Sequence, residues 1–313
     1  MKFFVSLLLA LLVQIVAYSQ DKSIAYNTKY VVILVIDGPR YSETFGDTAC
    51  RYIPNLCNEL KNEGVFYSNF RNNGPTYTVP GHTAMTTGFY QKMANTGTAL
   101  PKNPSIFQYY LANRKTPSSD AYVISAKGKL NVLGKTSNKS WKNQFLPETY
   151  CGPNGNGITY GTDAETMEKS TELLTSEKPP HLMLINLLAV DVWGHAGNYK
   201  KYLESLVKCD QYALTIWNMI QSNPTLKDQT TLFITNDHGR HLDKHKNGFV
   251  SHGDNCEGCR HISLLVLGPD CPKGKTIVQE GELIDLSKTI SEILNFEMPN
   301  LKGRFLEEAF KKD

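Results

Sequence analysis

Three runs of β-branched and other apolar residues each lead directly into an aspartate, and this feature constrains the fold more than any other. The runs cover residues 30–37, 182–191 and 230–237, and they end at Asp37, Asp191 and Asp237. Continuous apolar runs are typical of strands that are buried on both faces of a parallel sheet. Because ligands of such sheets collect at the carboxyl ends of the strands, we expect the three carboxylates to share one edge.

Helical and extended patterns alternate along the rest of the chain. Further strands are predicted at residues 65–70, 121–125 and 261–268, and helices at 53–60, 104–113, 164–176, 199–221 and 283–294. Asp163 is the expected N-cap of the third helix. This alternation indicates an α/β fold, a three-layer sandwich with a mostly parallel central sheet. The chain shows no internal repeat, so residues 21–313 are predicted to form a single catalytic domain.

Residues 127–162 differ in composition from their surroundings. They are rich in glycine, asparagine, lysine and serine. Such segments usually run over the surface of a domain, and long ones are often functional. We therefore interpret 127–162 as a surface insertion that forms a lid or a rim for substrate.

The first 20 residues have the anatomy of a secretory signal peptide: one lysine, an apolar core and a small polar exit. A membrane anchor is the alternative, but the apolar run is only about 15 residues, whereas a span needs roughly 20. We expect export to the periplasm or outside the cell, without a stable membrane anchor. The net charge of +3 comes from mixed acids and bases, which argues against nucleic-acid binding by bulk charge.

Seven cysteines occur in the chain, an odd number that leaves at least one thiol unpaired. In an exported protein, disulfides are the expected fate of most cysteines. Cys256 and Cys259 have the spacing of a redox or zinc pair, but no second pair of this kind completes a four-thiolate site. A local disulfide or free thiols are favoured over a metal for these two residues.

Residues 73–88 contain the candidate nucleophile. Thr78 lies at the mouth of a loop, Pro80 follows, and residues 81–87 are small and compatible with a helix. A helix N-terminus presents unpaired amides and partial positive charge, which suits an anionic group that reacts at Thr78. A threonine hydroxyl is a weak nucleophile and needs a base or a metal to activate it.

The candidate metal ligands are carboxylates and imidazoles spread along the chain: Asp37, Asp191, His195, Asp237, His238 and His252. Three carboxylates at close range are costly unless cations neutralise them. Mixed carboxylate and imidazole ligands with open positions suit catalytic Zn²⁺ better than Mg²⁺ or Ca²⁺. We predict that these side chains converge on Thr78 as a two-metal hydrolase site.

The remaining histidines receive other roles. His261 is the alternative to His252 as a ligand, and His82 is expected to shape the turn after Thr78. His181, His241 and His245 are expected to be bystanders. The last two lie in a charged segment, 240–246, that reads most simply as a solvated loop.

Taken together, these residues resemble the alkaline phosphatase superfamily, and their order and spacing are most similar to its nucleotide pyrophosphatase/phosphodiesterase branch. The motifs that carry the resemblance are Asp37-Gly38, Thr78 with Pro80, His82 and Thr87-Gly88, Asp191 with His195, Asp237-His238-Gly239, and His252-Gly253. The resemblance implies two zinc ions, one held by Asp37, Thr78, Asp237 and His238, the other by Asp191, His195 and His252. His252 precedes Gly268-Pro269 much as the branch's last zinc histidine precedes a Gly-Pro, which favours it over His261.

The chain also departs from the branch. Tyr77 and Gly81 stand where the branch usually has lysine and asparagine. An asparagine after the nucleophile helix stabilises the oxyanion in the branch, and Asn95 is the nearest candidate for this role. The departures concern substrate recognition more than the chemistry.

The resemblance implies an enzyme that hydrolyses small phosphate esters, most simply phosphodiesters, through a phosphothreonine on Thr78. A phosphate monoesterase or phosphonate hydrolase would use the same site, although no arginine near the loop is evident for a second anionic oxygen. Thr78 and His82 argue against a sulfatase, and the signal peptide argues against a cofactor-independent phosphoglycerate mutase. A non-enzyme that binds metal or phosphate on a degenerate scaffold is the remaining alternative.

Overall fold

The computed structural model describes residues 25–311, which form a nine-stranded sheet with helices on both faces. The strands are β1 (Tyr30–Ile36), β2 (Val65–Arg71), β3 (Ala121–Ser125), β4 (Glu148–Cys151), β5 (Leu182–Leu187), β6 (Thr230–Thr235), β7 (His261–Leu267), β8 (Lys275–Ile277) and β9 (Gly281–Glu282). The α-helices are α1 (Lys61–Glu63), α2 (Thr78–Thr87), α3 (Ile106–Arg114), α4 (Asp163–Leu174), α5 (Ala189–His195), α6 (Tyr199–Ser222), α7 (Glu257–Arg260) and α8 (Asp285–Ile293).

The sheet runs in the order β4-β3-β5-β1-β6-β7-β2-β8, and β9 pairs with β2. The central strand β1 is parallel to both of its neighbours, β5 and β6. Strand β7 is antiparallel to β6 and to β2. The first residue of β7 therefore lies at the edge of the sheet where β1 and β6 end. The segment that precedes β7 reaches the same edge.

Both faces of β1 are buried, as its unbroken apolar run predicts. Val31, Ile33 and Val35 contribute to a core with α2, α3 and α8. Val32, Leu34 and Ile36 contribute to the opposite core with α4 and α6. The three-layer α/β sandwich with a mostly parallel sheet is thus confirmed.

Several predicted boundaries are wrong in ways that affect the site. The run 182–191 is a strand only to Leu187, and Asp191 lies inside helix α5. The N-cap of α4 is Thr162, whose side chain accepts from Glu165 N, while Asp163 is the first helical residue. The predicted helix 53–60 is irregular: a π-helical turn at Leu56–Leu60 precedes α1.

The segment 127–162 is only partly a surface insertion. A 3₁₀ segment at Gly128–Gly134 buries Leu130 and Leu133, and β4 pairs with β3 at the edge of the sheet. Lys127, the first residue of this segment, is fully buried. The segment therefore contributes both to the core and to the interior of the site described below.

The signal peptide predicted at residues 1–20 lies outside the described residues. Within 25–311, no helix combines the length and the apolar character needed to cross a bilayer. Cys50 and Cys57 form a disulfide. The other cysteines, among them Cys256 and Cys259, are free thiols.

Candidate active site

The predicted carboxylates meet at one edge of the sheet. Asp37 follows β1, Asp237 lies two residues beyond β6, and Asp191 is in α5 just beyond β5. The parallel register pairs Val35 with Thr235 and with Asn186, so the three strands end level with one another. All three carboxylates are buried.

Thr78 is the first residue of α2 and lies against the same edge. Gly81, one turn into the helix, allows this approach: a Cβ there would come within 2.5 Å of the carbonyl oxygen of Asp237. His82 Nδ1 is 2.9 Å from the carbonyl oxygen of Thr78 and 3.4 Å from Asp237 Oδ2. The start of the helix is therefore tied to the end of β6.

The tautomer of His82 follows from its partners. Asn186 Nδ2 is 3.1 Å from His82 Nε2 and can only donate, so Nε2 accepts and Nδ1 carries the proton. The ring then has no free lone pair for a metal. His82 positions Thr78 and Asp237, in keeping with its predicted role.

Lys127 contacts both the candidate nucleophile and two of the carboxylates. Its Nζ is 2.8 Å from Asp37 Oδ1, 2.5 Å from Asp191 Oδ2 and 3.3 Å from Thr78 Oγ1. Burial alone would lower the pKa of Lys127, but Asp191 and Asp37 hold that pKa well above its ordinary value. A permanent positive charge therefore lies beside the hydroxyl oxygen of Thr78.

Among residues 25–311, the buried atoms Asp237 Oδ2 and His238 Nε2 have no hydrogen-bond partner, and Asp37 Oδ1 has only its ion pair with Lys127. The Nδ1 of His238 is 2.9 Å from the carbonyl oxygen of Gly239, which fixes the proton there and leaves a lone pair on Nε2. Buried polar atoms without partners are costly. Two carboxylate oxygens and one imidazole lone pair are a donor set that fits a divalent cation.

His252 and His195 complete the cluster on the solvent side. The Nδ1 of His252 bonds to the carbonyl oxygen of Thr76 at 2.8 Å, and its Nε2 is 3.0 Å from His195 Nε2 and 3.5 Å from Asp191 Oδ1. Burial and the neighbouring His238 lower the pKa of His252 to about 2, so its ring is neutral and suited to bind a metal. The side chain of His195 is 51% exposed, which marks the open side of the site.

The ligand atoms fall into two groups by spacing. Asp191, His238 and His252 form one, and the carboxylates of Asp37 and Asp237 form the other. His82 lies within the second group, but its ring has no free lone pair in the tautomer given above. The resemblance instead places His238 with Asp37 and Asp237. His238 Nε2 is 3.3 Å from Asp237 Oδ2 and 3.7 Å from Asp37 Oδ1, so it borders both groups.

Burial and the neighbouring groups shift the pKa values of the three carboxylates in different directions. Burial and Asp237 raise the pKa of Asp37. Burial would also raise the pKa of Asp191, but Lys127, His195 and Arg240 hold it well below the ordinary value. In the same way, His238 and His82 keep the pKa of Asp237 low against burial.

Arg240 holds Asp191 from the other side. Its Nη1 is 2.6 Å from Asp191 Oδ1, its Nη2 donates to the carbonyl oxygen of Val250 at 3.1 Å, and its Nε donates to that of Phe249. The side chain is fully buried. The expectation that 240–246 is a solvated loop is therefore wrong for Arg240, and also for His241, which is buried.

Asn95 lies beside Val79, the residue that follows the candidate nucleophile. Its Oδ1 accepts from Val79 N at 2.8 Å and from Lys129 Nζ at 3.3 Å. Because Oδ1 is engaged twice, Nδ2 is the group of Asn95 that can donate to an oxyanion. The amide of Val79, in contrast, is already engaged by Asn95.

The structure places His261 and His181 away from this cluster. His261 Nε2 bonds to the carbonyl oxygen of Ser68, and its ring stacks on Tyr41. His181 contacts Asp120. Sequence reasoning missed Lys127, Arg240 and Asn186. The signal for Lys127 was its position two residues beyond the buried strand β3, the same distance at which Asp237 follows β6.

Fold and site together define an α/β metalloenzyme with a buried carboxylate and imidazole cluster. A sequence profile of the Metalloenzyme superfamily matches residues 68–298. The chain belongs to this superfamily.

Other comparisons agree with this assignment. A 2,3-bisphosphoglycerate-independent phosphoglycerate mutase of Gracilaria tenuistipitata var. liui is 28% identical over 135 residues, which are 42% of this chain and 24% of the mutase. The chain thus spans about a quarter of the length of this curated relative.

Two solved structures are similar in fold. An alkaline phosphatase superfamily protein of Vibrio parahaemolyticus has a TM-score of 0.63 at 17% identity, with 91% of this chain and 71% of that chain covered. Murine ectonucleotide pyrophosphatase/phosphodiesterase 5 has a TM-score of 0.64 at 16% identity, with 90% and 100% covered. The resemblance to the alkaline phosphatase superfamily and its nucleotide pyrophosphatase/phosphodiesterase branch is confirmed at the level of the fold.

Proposed function

We propose that this protein is an exported two-zinc hydrolase that cleaves phosphodiesters through a phosphothreonine formed on Thr78. The observation that carries the proposal is the position of Thr78 Oγ1, 3.3 Å from Lys127 Nζ, which itself contacts Asp37 and Asp191. The hydroxyl is thus one side chain away from a carboxylate of each candidate metal group. A protein that only bound metal or phosphate would not need a hydroxyl there.

The donor set supports two zinc ions held by Asp37, Asp191, His195, Asp237, His238 and His252, with Thr78 beside them. Bound divalent ions would supply the positive charge that favours the threonine alkoxide and offsets charge on the phosphorus oxygens. The chain supplies the rest. Lys127 holds a fixed cation beside the attacking oxygen, and Asn95 Nδ2 can donate to a nonbridging oxygen.

The preference for diesters rests on the Thr nucleophile and on the resemblance to the phosphodiesterase branch. Arg240 does not serve a second anionic oxygen, because Asp191 and the carbonyls of Phe249 and Val250 engage its guanidinium. Lys127 supports a second candidate, a phosphate monoesterase or phosphonate hydrolase. Its ammonium lies close enough to Thr78 Oγ1 to meet the additional anionic oxygen of a monoester.

Export is part of the proposal. It rests on the signal-peptide pattern of residues 1–20 and gains support from the disulfide between Cys50 and Cys57, since disulfides persist mainly in oxidising compartments. Detection of the processed chain outside the cytoplasm of the native host would test it. Retention of residues 1–20 in a cytoplasmic protein would contradict it.

The test of the activity combines metal analysis with a substrate panel. Rates would be compared on a chromogenic phosphodiester, a nucleotide diester, a phosphate monoester and a phosphonate, for the wild type and for Thr78→Ala. We expect diesters to be the best substrates, and Thr78→Ala to abolish turnover while zinc content stays largely intact. Thr86→Ala is the matched control, because the Thr86 hydroxyl bonds to the carbonyl oxygen of His82 within the same helix.

Each contrary result has a distinct meaning. Faster turnover of monoesters would favour the second candidate, with Lys127 as the residue responsible. A zinc-loaded protein that binds phosphate without turning over any of these esters would favour the non-enzyme alternative. Full turnover by Thr78→Ala would contradict the assignment of the nucleophile.

A further inference from the structure

A second cluster of metal-ligating side chains lies at the base of the loop that carries His252. The ligand atoms of His241, Asp254, Cys256 and Cys259 all lie within 4.8 Å of one another. None of these residues belongs to the candidate active site, whose ligands are oxygens and imidazole nitrogens only. In the sequence, His241 precedes His252, whereas Asp254, Cys256 and Cys259 follow it.

His241 has the tautomer of a metal ligand. Its ring is buried, and Nδ1 lies 2.5 Å from the carbonyl oxygen of Lys246, which can only accept. In the neutral ring, Nδ1 therefore carries the proton and Nε2 has a lone pair. Nε2 has no hydrogen-bond partner within residues 25–311, yet it lies 3.1 Å from Asp254 Oδ1. An imidazole lone pair and a carboxylate oxygen at this separation repel unless a proton or a metal ion lies between them.

Asp254 presents one oxygen to the cluster and uses the other elsewhere. His245 Nε2 lies 2.5 Å from Oδ2. Oδ1 faces His241 Nε2 and also lies 3.8 Å from Cys259 Sγ. An outer histidine on a ligating carboxylate is a common way of orienting it.

Cys256 and Cys259 supply two thiols with the spacing found in zinc sites. The amides of Cys259 and Arg260 both bond to the carbonyl oxygen of Cys256 at 3.0 Å, which forms the tight turn that opens α7. Both cysteines are free thiols, and Cys259 is buried. The sequence contains no second cysteine pair, but the fold brings His241 and Asp254 to the positions that such a pair would occupy.

We propose that His241, Asp254, Cys256 and Cys259 bind one Zn²⁺ in a structural site separate from the active site. Thiolate ligands select zinc over Mg²⁺ or Ca²⁺, and four protein ligands close the coordination sphere as in structural sites. In such a site the ligand atoms lie roughly 3.3–3.8 Å apart, so the cluster needs to contract by about 1 Å. On binding, each thiol releases its proton to solvent and becomes a thiolate.

The ion would hold the loop that carries His252. The amide of His241 already donates to the carbonyl oxygen of Ser251 at 3.0 Å. The amide of Gly239 donates to the carbonyl oxygen of Cys259 at 2.8 Å. Coordination would add a link between the segment after β6 and the segment before β7. His252 lies between these anchors and presents its Nε2 to Asp191.

The test is X-ray absorption at the zinc edge of the intact mature protein, stripped with a chelator and reloaded with Zn²⁺ alone, together with zinc per chain by mass spectrometry. We expect sulfur scattering at about 2.3 Å. The variants Cys256→Ser and Cys259→Ser should weaken or remove the sulfur scattering. They should also lower the zinc content by one ion per chain. Cys271→Ser, which replaces a buried free thiol outside the cluster, should leave both unchanged.

Two controls keep the test decisive. Cys256 is only partly buried, so Cys256→Ser carries the test if Cys259→Ser fails to fold; Asp254→Asn, which keeps both thiols, should also lower zinc content. Asp237→Asn should leave the sulfur signal unchanged, which separates this site from the active site. A folded, zinc-loaded wild type without sulfur scattering would overturn the proposal, and so would a Cys256–Cys259 disulfide in the freshly isolated protein.

Discussion

The ammonium of Lys127 lies 2.5 Å from Asp191 Oδ2, and both side chains are buried. This contact, together with the one to Asp37, supplies positive charge to both carboxylates in the metal-free protein, and Asp191 also pairs with Arg240. Removing one partner of a buried ion pair typically costs about 3–5 kcal/mol. The contact therefore has consequences for both stability and turnover.

Lys127→Met should lower the free energy of unfolding of the metal-free protein by about 3–5 kcal/mol, because it removes the cation beside Asp37 and leaves Asp191 to pair with Arg240. The loss should be smaller in the zinc-loaded protein, since bound cations replace the missing charge. Turnover should fall by roughly 10²-fold or more, because the fixed charge beside Thr78 is lost. Urea unfolding with and without zinc measures the first effect.

Lys129→Met is the control for that experiment, since Lys129 Nζ contacts Asn95 rather than a carboxylate. It should cost less stability than Lys127→Met in the metal-free protein. Equal losses for the two variants would mean that the charge of Lys127 does not compensate the carboxylates.

Arg240→Lys should weaken zinc binding at the group that contains Asp191 and His252. A lysine has one ammonium and cannot reach Asp191 and the carbonyls of Phe249 and Val250 at once. We expect zinc affinity to fall about 10-fold, in the range found for outer partners of metal ligands. Arg260→Lys is the matched control, because the Arg260 side chain donates through Nε to the carbonyl oxygen of the exposed residue Asn255 and not to Asp191. Unchanged affinity in Arg240→Lys would contradict the positioning role.

Asn95→Asp separates the two ends of the Asn95 amide. The variant keeps an oxygen for Val79 N but loses both Nδ2 donors. Turnover should fall by about 10²–10³-fold with little loss of stability. Turnover should also fall in Asn95→Ala. This variant should in addition lose about 1 kcal/mol of unfolding free energy, because Val79 N loses its hydrogen-bond acceptor. Steady-state kinetics and thermal unfolding measure both, and full activity in Asn95→Asp would exclude an oxyanion role.

Asp163 predicts a pH dependence of stability. Its carboxylate accepts from the amides of Leu188 and Ala189 at 2.6 and 3.1 Å, at the start of α5, which carries Asp191. Burial raises the pKa of Asp163 to about 6. The folded protein therefore holds this proton more tightly than the unfolded chain does. The contribution of Asp163 to the free energy of unfolding therefore increases as pH falls from about 6 towards 4. It is lost as pH rises through about 6.

The comparison of wild type with Asp163→Asn isolates this effect. On acidification from pH 7 to pH 4.5, the metal-free wild type should gain on the order of 1–2 kcal/mol relative to the variant, a figure discounted because Asp163 is partly exposed. Chemical denaturation across the pH range provides the measurement. A difference that is constant with pH, or that has the opposite sign, would contradict the account.

Much of the site could be predicted from residues that follow buried strands. Asp37 and Asp237 were found in this way, because unbroken apolar runs indicate parallel strands and those strands end at one edge. Asp191 was assigned correctly to that edge but wrongly to a strand, since Leu188 to Val190 are as apolar in a helix as in a strand. A short apolar run does not distinguish these two states.

The missed residues are buried charges with distant partners. Lys127 and Arg240 lie in polar stretches of sequence, and only the fold shows that Lys127 contacts Asp37 and Asp191 and that Arg240 contacts Asp191. The same holds for His241, because its partners Asp254, Cys256 and Cys259 are distant from it in the sequence. Local composition predicts solvent exposure for such residues, whereas tertiary ion pairing allows their burial.

The central claim is that Thr78 Oγ1 becomes covalently phosphorylated during turnover. The most direct measurement is mass spectrometry of the zinc-loaded enzyme quenched in acid while it turns over a phosphodiester, with site mapping of peptides that cover α2. We predict phosphate on Thr78 in the wild type, none in Thr78→Ala, and normal labelling in Thr86→Ala. Rapid turnover without phosphate on Thr78, or full activity in Thr78→Ala, would contradict the account.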